Sequence, residues 1–185
     1  MLGTGDEKAS LRRVMLGARD ALAPETRESA SLALVKHVKA ARFQAVLPEA
    51  GGIIAGFMPM RSEISPLPLM AALAQDGFRL ALPRITPEGL VFHGFEMGAA
   101  LAPGPFGTRE PLTEAPLVTP NLFLTPLLAF DGEGGRLGYG KGYYDRVFAQ
   151  HPSAKRVGVA YAMQEVAKVP REAHDALLDM VLTEA

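Results

Sequence analysis

Residues Leu127 to Phe148 read LLAFDGEGGRLGYGKGYYDRVF, and this stretch decides the fold. It begins within an apolar run, Leu122–Phe130, that predicts a strand. Three alternating glycines follow, and then a predicted helix at Tyr143–Gln150. A strand, a glycine-rich turn and a helix in this order are typical of α/β proteins, in which backbone N–H groups at the helix N-terminus bind anions. Glycine permits the φ > 0 turns and the close approach that a phosphate needs. Arg136–Asp145 is therefore a predicted phosphate-binding loop.

Two phosphate-binding templates fit this loop incompletely. Its spacing is G-x-G-x-G, which excludes the dinucleotide fingerprint G-x-G-x-x-G. The stretch Gly135–Gly142 follows the Walker A spacing, but it ends in glycine where the template has a hydroxyl that holds Mg²⁺. A triphosphate site would need another metal ligand, and Asp145 lies three residues on. Arg136 and Lys141 can neutralise phosphate charge. The alternative is a tight turn with two solvated cations.

Composition narrows the class of protein. The chain has 185 residues, 48% of them hydrophobic, and a formal net charge of −1, so it has material for a core and no basic field for nucleic acid. It has no cysteines, which excludes disulfides and Cys-ligated zinc. The N-terminus lacks a long apolar region, and no apolar run reaches the roughly 18 residues of a membrane helix. We expect a cytoplasmic protein, with one domain over residues 1–185, that binds neither membrane nor nucleic acid and is a monomer or weak dimer.

The rest of the chain alternates helical and strand patterns, which predicts an α/β fold with a largely parallel sheet. Helices are predicted at 5–22 and 67–75. A further helix is predicted to begin at Pro24, with Leu34, Val35 and Val38 on its buried face. Predicted strands are 53–58, 78–82 ending at Pro83, 90–95, 122–130, 155–161 and 180–183. Residues 98–121 are expected to form a surface excursion without helix or strand. Pro126 predicts a bulge or an edge strand.

Several short motifs accompany the glycine loop in a fixed order. They are Lys8–Arg12 (KASLR), Met58–Glu63 (MPMRSE), Gly104–Pro111 (GPFGTREP), Val169-Pro170, His174-Asp175 and Asp179. Together they resemble the 5-formyltetrahydrofolate cyclo-ligase family (5,10-methenyltetrahydrofolate synthetases) over nearly the full chain. The resemblance implies an ATP- and Mg²⁺-dependent ligase that converts 5-formyltetrahydrofolate to 5,10-methenyltetrahydrofolate and releases ADP and phosphate. It also implies a three-layer α/β/α sandwich, similar to ribose-5-phosphate isomerases and CoA transferases.

The chemistry implied by the resemblance accounts for the residue types. A formamide oxygen is a poor leaving group, and transfer of the γ-phosphate to it makes an imidate-like phosphate that N10 can displace. The protein has to place ATP in line with that oxygen and neutralise the developing charge.

The resemblance assigns roles residue by residue. Lys141 and Arg136 are the predicted catalytic cations, and Asp145 and Asp175 are the predicted Mg²⁺ ligands. His174 is predicted to be structural, because the mechanism needs no obvious imidazole base and a lone histidine is weak evidence. The predicted ATP-binding set is Lys8, Arg12, Arg136, Leu137, Gly138, Tyr139, Gly140, Lys141, Gly142, Tyr143 and Tyr144. The predicted folate-binding set is Arg12, Met58, Glu63, Tyr139, Gly140, Lys141, Gly142 and Tyr143, with Phe106 as a further aromatic that can stack on the substrate.

Ordinary structural roles are the alternatives for these residues. Lys8 and Arg12 share a helix face as i and i+4 and would be solvated cations there. Met58 would be a core methionine and Glu63 a capping or loop acid. For the whole chain, the alternatives are a non-catalytic folate- or nucleotide-binding module on the same fold and a sugar-phosphate isomerase that needs no ATP.

Overall fold

Short strands alternate with helices along the chain, as the sequence pattern predicts. The computed structural model describes residues 4–173 and 175–185. The helices are α1 (Thr4–Asp20), α2 (Pro24–Ala33), α3 (Ala41–Gln44), α4 (Leu67–Gln75) and α5 (Tyr143–Gln150), with 3-10 helices at Leu34–Lys39, Pro105–Gly107 and Ala162–Gln164. The strands are β1 (Ile53–Ala55), β2 (Arg79–Thr86), β3 (Gly89–Phe95), β4 (Leu101–Pro103), β5 (Arg109–Pro111), β6 (Leu122–Pro126), β7 (Ala129–Phe130), β8 (Arg136–Leu137), β9 (Lys155–Val159) and β10 (Met180–Leu182).

Six strands form the central sheet, in the order β10-β9-β6-β1-β2-β3. All neighbours are parallel except β2 and β3, which form an antiparallel pair at one edge. The predicted, largely parallel sheet is confirmed. Among the described residues, no helix is both long enough and apolar enough to cross a membrane.

The sheet is covered on both faces because successive strand residues point to opposite sides. In β6, Leu122 and Leu124 join a cluster that contains Leu73 of α4, whereas Phe123 joins one that contains Phe148 of α5. The same alternation in β1 puts neighbouring residues into the two clusters. The structure thus has the three layers expected of an α/β/α sandwich.

Both prolines in the predicted strands behave differently from the prediction. Strand β2 does not end at Pro83 but runs on to Thr86. The Ala81 carbonyl accepts a hydrogen bond from the Gly56 N–H, and because backbone groups alternate, Pro83 faces the same side, where β1 has already ended. Its missing N–H therefore breaks no ladder bond. The predicted edge or bulge at Pro126 is also wrong, because β6 lies between β1 and β9 and simply ends at this residue.

Other predicted bounds also change. The stretch 122–130 forms two strands, of which β7 pairs with β8 in a separate ribbon. The excursion 98–121 was predicted to lack strands, but β4 and β5 pair there as an antiparallel hairpin. The predicted strand at 53–58 forms only over β1, since the chain leaves the sheet afterwards to line the cleft described below. The predicted second helix divides into α2 and the 3-10 helix at Leu34–Lys39, in which Leu34 and Val38 are buried as predicted but Val35 is exposed.

Candidate active site

A cleft of about 460 Å³ opens at the carboxyl ends of the central strands. Phe57, which follows β1, and Pro126, which ends β6, both line it. Between β1 and β6 the strand order reverses, because β2 lies beyond β1 on one side and β9 lies beyond β6 on the other. A topological switch point of this kind is where open α/β sheets bind ligands.

The glycine loop forms one wall of the cleft and leads directly into α5. Gly140 and Gly142 have φ values of 89° and 64°, and Gly142 is the residue that caps α5. L-residues with a side chain avoid this left-handed region, which explains the need for glycine at these two positions. Gly138 is different, because its φ is not positive and its carbonyl accepts a hydrogen bond from Arg12 Nε at 2.9 Å. The loop is thus fixed by backbone geometry and by a cation from α1.

Lys8 and Arg12 project from α1 into this cleft, as their shared helix face predicts. Lys8 is buried, and its Nζ lies 2.6 Å from Asp175 Oδ2 and 3.0 Å from Glu172 Oε2. Burial alone would lower the pKa of Lys8, but the hydrogen bonds and charges of these two carboxylates outweigh it and raise the pKa. Lys8 is therefore not a solvated surface cation.

Arg136 and Asp145 form an ion pair at the same end of the cleft. Both Nη atoms of Arg136 donate to Asp145 Oδ1, at 3.2 and 2.7 Å, and the backbone N–H of Ala176 approaches the same oxygen at 3.3 Å. The guanidinium also lies 4.9 Å from the ring centroid of Phe148. Burial lowers the pKa of Arg136, while the charges of Asp145 and Asp175 oppose that effect. Two carboxylates and a buried cation thus meet beside the glycine loop.

Glu63 lies on a tight turn in another part of the cleft. Arg61 has a φ of 51° in this turn, which is closed by the Glu63 N–H donating to the Met60 carbonyl at 3.0 Å. The Met60 N–H in turn donates to Glu63 Oε2 at 2.8 Å, and the Tyr139 hydroxyl donates to Oε1 at 2.7 Å. Burial raises the pKa of Glu63, while the Met60 N–H, the Tyr139 hydroxyl and the charge of Arg19 oppose the rise.

The turn between β4 and β5 forms the rim of the cleft. Phe106 has a φ of 59°, is 69% exposed and lies with its ring centroid 5.1 Å from Lys141 Nζ. Below it, Glu110 is buried and accepts hydrogen bonds from the Ile85 N–H and the Thr108 hydroxyl, each at 3.1 Å. The rim therefore presents the exposed ring of Phe106 beside Lys141 of the glycine loop, and the buried carboxylate of Glu110 holds the backbone below that ring.

Comparison with known proteins decides the family. A model of the 5-formyltetrahydrofolate cyclo-ligase family matches residues 4–184. The chain belongs to this family. It is 34% identical over 139 residues to the 5-formyltetrahydrofolate cyclo-ligase of Escherichia coli strain K12, covering 70% of this chain and 76% of that protein. It is 28% identical over 188 residues to the enzyme of the same name from Mycolicibacterium smegmatis, covering 95% and 93%.

Solved structures agree with this assignment. The 5,10-methenyltetrahydrofolate synthetase of Aquifex aeolicus superposes with a TM-score of 0.79 at 32% identity, covering 96% of this chain and 89% of that one. A second synthetase, from Mycoplasma pneumoniae, superposes with a TM-score of 0.75 at 23% identity, which shows the common fold. The specific similarity to ribose-5-phosphate isomerases stays a prediction.

In this member of the cyclo-ligase family, every described residue with a predicted binding role lines the same cleft. They are Lys8, Arg12, Met58, Glu63, Phe106, Arg136, Leu137, Gly138, Tyr139, Gly140, Lys141, Gly142, Tyr143, Tyr144, Asp145 and Asp175. The fold brings these residues together in one cleft, and their binding and catalytic roles stay predictions. His174 lies outside the described residues. Within residues 4–173 and 175–185, no cluster of three or more acidic or histidine side chains forms a ready metal site.

Three buried polar residues at or near the cleft were not predicted from the sequence, and of these only Glu110 lines the cleft. Arg19 is only 1% exposed and bonds to Tyr139 and Ser62. Asp131 is buried before the glycine loop, and Glu110 beneath the rim. The sequence gives no local sign of their burial, although Glu110 lies within the GPFGTREP motif, which could have drawn attention to it.

Proposed function

We propose that this chain catalyses the ATP-dependent cyclisation of 5-formyltetrahydrofolate to 5,10-methenyltetrahydrofolate, with release of ADP and phosphate. The observation that carries the proposal is that one cleft, in a member of the cyclo-ligase family, combines the cationic glycine loop with the buried carboxylate of Glu63. The loop suits a nucleotide phosphate, and a carboxylate suits the N–H donors of a pterin ring.

In the proposed reaction, the formyl oxygen attacks the γ-phosphorus of ATP and ADP leaves. N10 then attacks the formyl carbon, the C–O bond to phosphate breaks, and the N10 proton is taken up by the released phosphate or by water. The residues of the chain position and neutralise rather than form covalent bonds. Lys141, which is exposed at the rim, and Arg136, which is fixed by Asp145, are proposed to stabilise the charge that develops on the transferred phosphoryl group.

Asp145 and Asp175 are proposed to hold Mg²⁺ at the phosphate end of the cleft. Both side chains line the cleft there, and each already accepts a hydrogen bond from a cation, Arg136 or Lys8. Hard carboxylate oxygens fit Mg²⁺, which commonly binds one or two carboxylates together with water and phosphate, so two acids are a sufficient donor set. When bound, the ion would neutralise charge on the phosphates.

The test is to mix the protein with MgATP and 5-formyltetrahydrofolate and to follow the absorbance of methenyltetrahydrofolate together with ADP release. We expect product only when all three components are present, with one ADP per product. Folded protein that makes no product would contradict the proposal. Tight folate binding without ATP hydrolysis would instead support a binding module, and ATP-independent isomerisation of a sugar phosphate would support an isomerase.

Three further predictions concern the whole protein and are tested separately. They are a single domain over residues 1–185, a monomer or weak dimer, and a cytoplasmic location. Limited proteolysis, analytical ultracentrifugation and cell fractionation are the respective measurements.

A further inference from the structure

A wholly buried arginine, Arg19, lies behind the part of the cleft that contains Glu63 and the Tyr139 side chain, which we call the folate half. Arg19 is 1% exposed, in the last turn of α1, where a cation interacts favourably with the helix dipole. Its Nε donates to Ser62 Oγ at 3.1 Å, and its Nη2 donates to the Tyr139 hydroxyl at 2.6 Å. Ser62 Oγ donates onward to Asp20. Arg19 does not itself line the cleft, so any effect on a ligand passes through these neighbours.

The hydrogen-bond directions in this network follow from the chemistry of the side chains. A guanidinium can only donate, so the Tyr139 oxygen accepts from Arg19. The single hydroxyl proton of Tyr139 is then directed to its other partner, Glu63 Oε1, at 2.7 Å. Glu63 Oε2 accepts a second hydrogen bond, from the Met60 N–H at 2.8 Å. Both oxygens of Glu63 are therefore acceptors, as in an ionised carboxylate.

An ionised carboxylate keeps acceptor capacity for a ligand. It offers about four lone-pair sites, of which the protein contacts above use two. Glu63 lines the cleft, so the remaining capacity is available to N–H donors there. The pyrimidine edge of a 4-oxo pterin presents two such donors side by side, the ring N3–H and the 2-amino group. A protonated Glu63 would place one hydroxyl donor against them instead.

Charge also links Arg19 to Glu63. The ionisable groups around Glu63 are Arg19 and Asp20 of α1, Arg61 of its own turn, and the hydroxyls of three tyrosines: Tyr139, Tyr144 and Tyr161, the last of which donates to the Ser62 carbonyl. Burial raises the pKa of Glu63, and Arg19 is the cation whose charge opposes that rise. The tyrosine hydroxyls are neutral, since burial raises the pKa of Tyr139 and of Tyr144. Loss of Arg19 would thus favour the protonated carboxyl.

We propose that Arg19 is a positioning residue for folate: through the Tyr139 hydroxyl it holds Glu63 as an acceptor-only carboxylate for the pterin N–H donors. The inference rests on the proposed function and deepens it. It also assigns the Tyr139 side chain to the folate half of the cleft, whereas the backbone of the glycine loop remains with the nucleotide.

The test uses Tyr139→Phe, Arg19→Met and Arg19→Lys, with KM for folate, KM for ATP and kcat measured from pH 5.5 to 8.5. Tyr139→Phe removes the two hydrogen bonds that this hydroxyl makes to charged groups, Arg19 and Glu63, so we expect KM for 5-formyltetrahydrofolate to rise about tenfold or more. KM for ATP should stay within about twofold, a split that a general structural defect would not give. Arg13→Met is the matched control, because Arg13 is an exposed cation of the same helix.

The pH dependence tests the role of the charge. Folate binding needs ionised Glu63, so it weakens as pH falls through the pKa of this group. In Arg19→Met this pKa is higher, and the weakening should begin at a higher pH than in the wild type. Arg19→Lys keeps the charge, and its pH midpoint should lie close to the wild-type value.

The outcomes separate this inference from the proposed function. If the wild type makes no methenyl product, the proposed function fails. If the wild type is active but Tyr139→Phe raises KM for ATP and not for folate, the Arg19 proposal fails. A folded Arg19→Met with an unchanged pH midpoint would also overturn it. If Arg19→Met does not fold, as a melt would show, the Tyr139→Phe result decides alone, because this variant loses a single hydroxyl and keeps Arg19 in place.

Discussion

Lys141→Met tests the phosphate role of the glycine loop most directly. Lys141 is exposed, and its Nζ contacts the ring of Phe106 at 5.1 Å. Such a cation–π contact at an exposed site contributes about 0.5–1 kcal/mol, so the substitution should lower the free energy of unfolding by no more than about 1 kcal/mol. The folded protein should otherwise be unchanged.

The effect on ATP should be much larger than the effect on folding. A hydrogen bond to a charged group contributes about 1.5–3 kcal/mol, which corresponds to a rise of about 10- to 150-fold in the Kd for MgATP. Lys39→Met is the matched control, because Lys39 is also an exposed lysine and pairs with Asp76 at 2.9 Å outside the cleft. Removing it should leave the Kd for MgATP within about twofold, because Lys39 does not line the cleft, and the loss of one surface ion pair should change stability little.

Calorimetric titration of both variants with MgATP, beside a denaturant titration of each, measures the two effects. An unchanged Kd in folded Lys141→Met would refute the phosphate role of this residue. Equal weakening by Lys39→Met would show that net charge, rather than position, determines the affinity.

Three further substitutions test other parts of the site. Gly140→Ala should lower the free energy of unfolding by about 1–2 kcal/mol, because φ at Gly140 is 89° and a residue with a Cβ is strained there. Gly138→Ala is the control: no atom lies within 4 Å of the added Cβ, so its thermal melt should differ little from that of the wild type. Asp131→Asn should lower stability by about 1–3 kcal/mol at pH 7. Burial would raise the pKa of Asp131, but hydrogen bonds from the N–H groups of Val169, Gly135 and Glu133 outweigh it and lower the pKa. The difference in the free energy of unfolding between variant and wild type should therefore persist above about pH 4 and shrink as pH falls through the lowered pKa. Asp145→Asn should raise the Mg²⁺ concentration for half-maximal activity about tenfold or more, and an equal rise in Asp76→Asn would contradict a metal role.

The elements that the sequence predicted best are those whose signals are local. Helices α4 and α5 begin and end where the sequence pattern placed them, at Leu67–Gln75 and Tyr143–Gln150. Helical periodicity, the glycines that end helices and form turns, and the apolar strand before the loop can all be recognised from neighbouring residues. The loop itself required glycine at Gly140 and Gly142 for backbone reasons, and this too is a local property.

Long-range pairing decided what the local signals could not. Pro83 continues a strand because β1 ends before it, and Pro126 ends a central strand, facts that depend on neighbours far away in sequence. The resemblance to the family supplied the candidate binding residues, and the tertiary structure brought the described ones to one cleft.

The sequence alone thus determined the α/β layering, the glycine loop and the family resemblance, because each depends on patterns of residues that are close together in the sequence. It did not determine which polar residues are buried and which are exposed. In the sequence, Arg19 is one of several cations on an amphipathic helix, and only packing against residues 62 and 139 makes it a buried donor behind Glu63. Burial is a property of all the surrounding elements together, so a charge becomes part of a site only when the whole chain has folded around it.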